Sequence, residues 1–255
     1  MGTTYIRDGM HSVNPYLVVR GADELLTFIT KVFDGQQRLR VPTVDGKVQH
    51  SEIRVDDMVL ELADGNAIYP PVPMALHSYV PDVDAFYACA IEAGATSAYE
   101  PRDTGYGDRE SAIRHPSGIL WYISTRLGAS YKPEGLRAVT PYLHPRGAND
   151  LIAFMKEAFG GDETEGIRNN DGTVAHAKVR IGDSIIELGD AHGEWGPMGA
   201  NLHLYVPDVD ATYKQAVHAG AKSQQAPADA PYGDRSAGVT DNWGNQWWIA
   251  TYIEA

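Results

Sequence analysis

Cysteine is nearly absent. Cys89 is the one cysteine in 255 residues, which rules out a disulfide within the chain and suits a reducing compartment. It falls in a stretch that reads as helix, where a buried small hydrophobe is the expected role rather than a nucleophile. Long apolar runs are also missing. No segment approaches the roughly 18 apolar residues of a membrane span. The opening Met1-Gly-Thr-Thr-Tyr-Ile-Arg-Asp8 lacks the apolar stretch of a secretory signal. A cytoplasmic protein with no membrane partner is therefore expected. Positive charge is scarce: 21 Lys and Arg face 34 Asp and Glu, a net charge of −13. A phosphate backbone would be repelled, so nucleic acid is not an expected partner. The same charge would draw in a cationic ligand. There is no glycine loop for phosphate, and no Ser–His–Asp order or Cys–His pair with a local signature.

What the chain does have is a second copy of itself. Residues 12–126 and 138–252 align without a gap at a constant offset, Tyr79 matching Tyr205. Tyr79-Val-Pro-Asp-Val-Asp-Ala recurs from Tyr205, and Tyr106-Gly-Asp-Arg109 recurs as Tyr232-Gly-Asp-Arg235. His50, Glu61, His77 and Trp121 recur as His176, Glu187, His203 and Trp247. A repeat of this size is a domain, not a solenoid unit. The expected organisation is a first module over 1–126, a linker over 127–137 and a second module over 138–255.

Each copy divides again. Leu25, Phe28, Ile29 and Val32 share one face of a helix over 22–33, with Gly35 as a stop signal. The twin helix presents Leu151, Phe154, Met155 and Ala158, then Gly160. A second helix starts at Asp82, a good N-cap, and ends before Gly94; its twin runs from Asp208 to Gly220. Strands are expected at 16–20, 49–55, 58–63, 76–80, 111–115 and 120–125. The pair 49–55 and 58–63 forms a hairpin around Asp56-Asp57, and its twin turns at Gly182-Asp183. Each half reads strand, helix, then three strands.

Four such βαβββ units in tandem, with Pro-Tyr-Leu at Pro15 and Pro141, the Gly-Asp-Arg loops, and His115-Pro-Ser-Gly-Ile-Leu-Trp121 matched by Asp241-Asn-Trp-Gly-Asn-Gln-Trp247, resemble the vicinal oxygen chelate superfamily. That group includes glyoxalases, bleomycin-resistance proteins and extradiol dioxygenases. The resemblance implies an α+β fold in which paired units form half-barrel modules around a cavity. It also implies a metal held from the first, fourth, fifth and eighth strands. Those positions fall at Pro15, Glu61, Ala75 and Tyr122, and again at Pro141, Glu187, Asn201 and Trp248. One typical ligand per module survives where about three are needed. No cofactor is therefore expected at the usual site.

A displaced metal site is the alternative. Period-two geometry sets His50, Glu61 and His77 on one sheet face, and likewise His176, Glu187 and His203. The hairpin register also places Glu52 opposite Glu61, whereas Lys178 stands opposite Glu187. Two opposed buried carboxylates would leave one protonated or require a cation. The plainer alternative is that Glu52 turns to solvent or meets Arg54 or Arg102. Tyr79, Tyr106, Tyr122, His203, Tyr205, Tyr232 and Trp248 are the expected ligand-binding side chains. Trp121 and Trp247 have the opposite parity and should pack on the helices. Arg109 and Arg235 read as structural ion pairs.

The first functional expectation is a bleomycin-resistance-like protein that holds an aromatic or cationic small molecule without the usual metal. The other is a glyoxalase-like lyase, isomerase or oxygenase in which the His–Glu–His set binds a displaced metal or supplies an acid/base pair, with Glu61, His77 and Glu52 as the catalytic residues. Either a monomer with pseudo-dimeric modules or a homodimer fits the duplication.

Overall fold

A computed structural model describes residues 5–128 and 130–253. The first four residues of the N-terminal stretch, Ala129 of the expected linker, and Glu254-Ala255 lie outside the described residues. The fold is α+β, four βαβββ units in two tandem modules. The first copy contains β1 (Val13–Val19), α1 (Ala22–Phe33), β2 (Gln36–Pro42), β3 (Val48–Val55) and β4 (Met58–Asp64). It continues with β5 (Ala75–Tyr79), α2 (Val83–Glu92), β6 (Thr96–Asp103), β7 (Asp108–Arg114) and β8 (Leu120–Arg126). The second copy contains β9 (Val139–Leu143), α3 (Ala148–Phe159), β10 (Asp162–Arg168), β11 (Val174–Ile181) and β12 (Ser184–Leu188). It ends with β13 (Asn201–Tyr205), α4 (Val209–His218), β14 (Lys222–Asp229), β15 (Asp234–Thr240) and β16 (Gln246–Tyr252).

Two compact units result, one over Tyr16–Pro141 and one over Tyr142–Ala255 with Met1–Pro15. They are called the first and second module below. In the first, Tyr16–Val19 of β1 runs parallel to β4, and β4–β3–β2 follow as antiparallel neighbours. The same module carries β5 parallel to β8, then β8–β7–β6 antiparallel. In the second, Tyr142 and Leu143 of β9 run parallel to β12, followed by β11 and β10. Its other half sets β13 parallel to β16, then β15 and β14, with residues Val13–Pro15 antiparallel on the free side of β13.

Alternation decides which face each strand buries. Leu25, Phe28, Ile29 and Val32 of α1 are buried, and Ile53 on β3 lies beneath that helix. Each such side chain contributes about 1.5–3 kcal/mol by leaving water. Trp121 is fully buried with its ring 4.5 Å from that of Phe33, and Trp247 sits 4.6 Å from Phe159. Both tryptophans thus pack on the helical layer. Asp82 and Asp208 cap α2 and α4, each accepting a backbone N–H three residues on at 3.0 Å. The stop after α1 differs from the expected one. Asp34, not Gly35, takes the left-handed conformation, with φ 51°. Gly35 is needed for space instead, since a Cβ there would lie 2.8 Å from Ile53 Cδ1. Arg109 bridges Asp84 on α2 and Asp103 on β6, at 2.6 and 2.9 Å, and Arg235 repeats this with Asp210 and Asp229.

Candidate functional site

The β3–β4 hairpin pairs Val55 with Met58, which sets Glu52 directly opposite Glu61. Both carboxylates are buried, 5% and 1% exposed, so Glu52 does not turn to solvent. They face away from α1, because the neighbouring Ile53 points toward it. His50 lies two residues along, its Nε2 3.5 Å from Glu52 Oε1. Tyr16 on β1, beside Glu61 in the parallel ladder, brings its hydroxyl to 3.4 Å from His50 Nδ1. His50, Glu52 and Glu61 each offer a ligand atom within 4.8 Å of the others. Among the described residues this is the one such group.

The second module builds the same corner with different charge. His176 Nε2 is 3.5 Å from Glu187 Oε1, matching His50 in position. Opposite Glu187 stands Lys178, whose Nζ reaches Glu165 at 2.9 Å. A cation thus replaces the second carboxylate, and no comparable donor set remains there.

His77 lies on β5 and His203 on β13, and each has partners on its own strand and on a later one. Parity fixes a face but not a neighbour: β5 runs beside β8, and β13 runs between β16 and residues Val13–Pro15, with His203 opposite Asn14. His77 Nε2 meets Ser124 Oγ at 2.9 Å and its ring lies 4.7 Å from Tyr79. His203 stacks on Tyr205 at 4.5 Å, with Nε2 4.0 Å from Asp234. Tyr79 and Tyr205, expected as ligand contacts, are buried and donate to Asp108 and Asp234 at 2.7 and 3.1 Å. They lock the Gly-Asp-Arg loops onto the strands. Tyr106 and Tyr232 are open, 64% and 60% exposed. Tyr122 and Trp248 are half-buried, and the Trp248 ring covers Gly238, where a Cβ would approach to 2.8 Å.

Glu110, Tyr99 and Ser124 form a further cluster that strand alternation alone does not mark. Glu110 on β7 accepts from Tyr99, Tyr106 and Ser124. The signal was present in the repeat: the matching residues are Ser236, Gln225 and Ala250. Burial, and then the Glu110 charge, push the Tyr99 and Tyr122 phenols above the ordinary tyrosine value, so both stay protonated.

The model of the Glyoxalase/Bleomycin resistance protein/Dioxygenase superfamily matches residues 9–123 and 146–249, most of both modules. The chain belongs to this superfamily. An uncharacterized protein of Mycobacterium tuberculosis (strain H37Rv) is 33% identical over 123 residues, spanning 44% of this chain and 72% of its own. A Mycobacterium bovis counterpart is also 33% identical, with 81% of its length covered. Glyoxalase I from Zea mays superposes with a TM-score of 0.68 over 94% of this chain and 92% of its own, at 15% identity. Its V278E mutant gives 0.71 with the same coverage and identity. At that identity the likeness speaks for the fold alone. Divalent metals are common in the superfamily, but Pro15, Ala75 and Pro141 have no side-chain donor at the usual ligand positions. The usual ligand set does not fit this chain; the His50–Glu52–Glu61 group, which keeps Glu61 and adds two donors from β3, has the donor number and type for a cation.

Proposed function

We propose that the chain is a small-molecule-binding member of the superfamily that holds a cationic group at His50, Glu52 and Glu61 of the first module. The buried, directly opposed carboxylate pair carries this reading. Two like charges facing each other weaken a sheet, and burial magnifies the cost unless a proton or a cation lies between them. The second module meets the same constraint with Lys178, an internal cation. An acidic chain favours approach of a positive ligand, and Tyr16 beside His50 supplies an aromatic wall. Binding alone needs no catalytic chemistry, so loss of the usual metal ligands costs this function nothing. Sequestration of a cationic drug, and hence antibiotic resistance, is the cellular role this reading implies.

A second reading rests on the donor geometry. A divalent ion held by His50, Glu52 and Glu61 would polarise a substrate oxygen and support a lyase, isomerase or oxygenase. Metal analysis after purification without added metal separates the two. The first reading expects no stoichiometric metal, and cationic organic ligands that raise the melting temperature of the wild type but not of Glu52→Lys. A ligand at 100 times its Kd adds about 2.7 kcal/mol. Stoichiometric Zn, Ni, Mn or Fe that disappears in Glu61→Gln would transfer the site to the second reading.

A further inference from the structure

Away from the Glu52–Glu61 pair, a different cluster of the first module converges on one carboxylate. Glu110 accepts from Tyr99 Oη at 2.5 Å, Tyr106 Oη at 2.9 Å and Ser124 Oγ at 3.3 Å. Ser124 is held in turn by His77 at 2.9 Å. Register places these groups on one face: Glu110 pairs with Ser124, Ala112 with Tyr122, and Tyr122 with His77. Two residues along from Glu110, Asp108 is 3% exposed, and its Oδ1 has no hydrogen-bond partner among the described residues. The face therefore sets two acids among neutral phenols, with Arg102 opposite Glu110 in the β6–β7 ladder.

We infer that Glu110, Tyr99, Tyr106 and Tyr122 form a recognition site for an organic ammonium ion, and that only the first module has it. The carboxylate supplies charge, and the tyrosine rings supply the negative faces that attract cations. Tyr99 already holds a cation in this way, the Arg102 guanidinium carbon 4.3 Å from its centroid, so the ring contact to a ligand falls to Tyr106 and Tyr122. Small divalent ions prefer several oxygen ligands and retain their water. A poorly hydrated alkylammonium suits an aromatic surround with one acid. Tyr99 and Ser124 fix the carboxylate from the strands. Tyr106 is the exposed member, on a loop flanked by Gly105 and Gly107, and it is the side chain free to swing from Glu110 and close over a ligand. The second module has Gln225, Ser236 and Trp248 at the matching positions and keeps Tyr232 alone. This site stands apart from the Glu52–Glu61 cluster and does not rest on it.

Calorimetric titration of the full chain with tetramethylammonium chloride, against equal sodium chloride, tests the inference. Saturable binding is expected, weakened about tenfold or more in Glu110→Gln and severalfold in Tyr106→Ala. Tyr106 is exposed, so its variant reports binding even if a change at Glu110 disturbs folding. Glu92→Gln, an exposed acid outside both clusters, is expected to bind as the wild type does. Absence of saturable binding, or wild-type affinity in both Glu110→Gln and Tyr106→Ala, would overturn the site. Binding lost in Glu52→Gln but kept in those two variants would also overturn it, while upholding the Glu52–Glu61 reading.

Discussion

Asp241 of the second module and His115 of the first occupy the same position, two loops that enter the same strand. Asp241 is buried and accepts from the backbone of Trp243 and Asn245, from the Asn245 amide at 2.8 Å and from Trp247 Nε1 at 3.0 Å. Burial holds its carboxyl above the ordinary value, and these donors offset part of that. His115 instead bonds Ser117 and packs 4.7 Å from Phe28, leaving Trp121 Nε1 without a hydrogen bond among the described residues. The duplicated scaffold thus tolerates two solutions to one loop, apolar stacking or a polar hub. The hairpin corner diverged in the same manner, Glu52 against Lys178. The copies share their backbone geometry and differ in charge at the hairpin corner and at this loop.

The largest expected effect tests the loops. Asp241→Ala orphans several buried donors at once, each worth roughly 1–3 kcal/mol, for a loss on the order of 4 kcal/mol. His115→Ala removes two hydrogen bonds to Ser117 and a ring contact, and about half that loss is expected. Urea unfolding of the two variants measures both. Equal losses would break the comparison.

Exchanging the hairpin charges comes next. Lys178→Glu would create a second opposed carboxylate pair beside Glu187 and strand Glu165, at a cost of about 3 kcal/mol. Glu52→Lys does the reverse and is expected to raise stability by up to about 1 kcal/mol while abolishing cation binding at the hairpin corner. A destabilised Glu52→Lys would mean that the carboxylate pair is held by something stronger than its electrostatic cost.

Much of this was legible in the chain. The helices followed from apolar spacing, and the Glu52–Glu61 contact followed because a two-residue turn fixes hairpin register. The outer strands β2, β6, β10 and β14 were harder to delimit. All seven residues of β2 are exposed, so no apolar alternation marks it. For His77 and His203, alternation gives a face, not the neighbouring strand. The Glu110 hub escaped for a sharper reason. Its donors come from β6, β8 and the loop before β7, and β6–β7 pairing shifts register on both sides of Tyr99. Bulges re-aim side chains in ways that alternation cannot foresee.

Two aspartates that hold matching segments give a smaller test. Asp183 accepts from Ser12 N and His11 Nδ1, both at 2.8 Å; Asp57 accepts from Ala138 N at 2.7 Å and Lys132 at 3.3 Å. Burial alone would raise the Asp183 carboxyl, but the bonds from His11 and Ser12 outweigh it and hold it well below the usual range. A folded value below the unfolded one gives stability that is full above about pH 5 and lost as pH falls past about 3.9. Asp183 is partly exposed, so about 1 kcal/mol is expected, or roughly 2–4 °C in melting temperature. The gap between Asp183→Asn and wild type should close as pH drops from 6 toward 2. A gap unchanged by pH would assign the contribution to packing.

The smallest effect concerns the turn itself. Asp56 has φ 50° and its twin Gly182 has φ 59°. The second module has no choice, because a Cβ on Gly182 would lie 2.1 Å from Ser12 Oγ. In the first, Ala138 replaces Ser12, and an aspartate is accommodated in a left-handed conformation that costs most side chains about 1–2 kcal/mol. Asp56→Gly removes that strain and loses an exposed 3.9 Å pairing with Lys132, which is worth little. Against the gain stands the larger freedom of glycine in the unfolded chain, roughly 0.5–1 kcal/mol. The net expected is a stabilisation of about 0.5 kcal/mol, read as a higher urea midpoint at unchanged slope. A lower midpoint would show that Asp56 contributes to the turn through its side chain, and that the two hairpins reach the same backbone by different means.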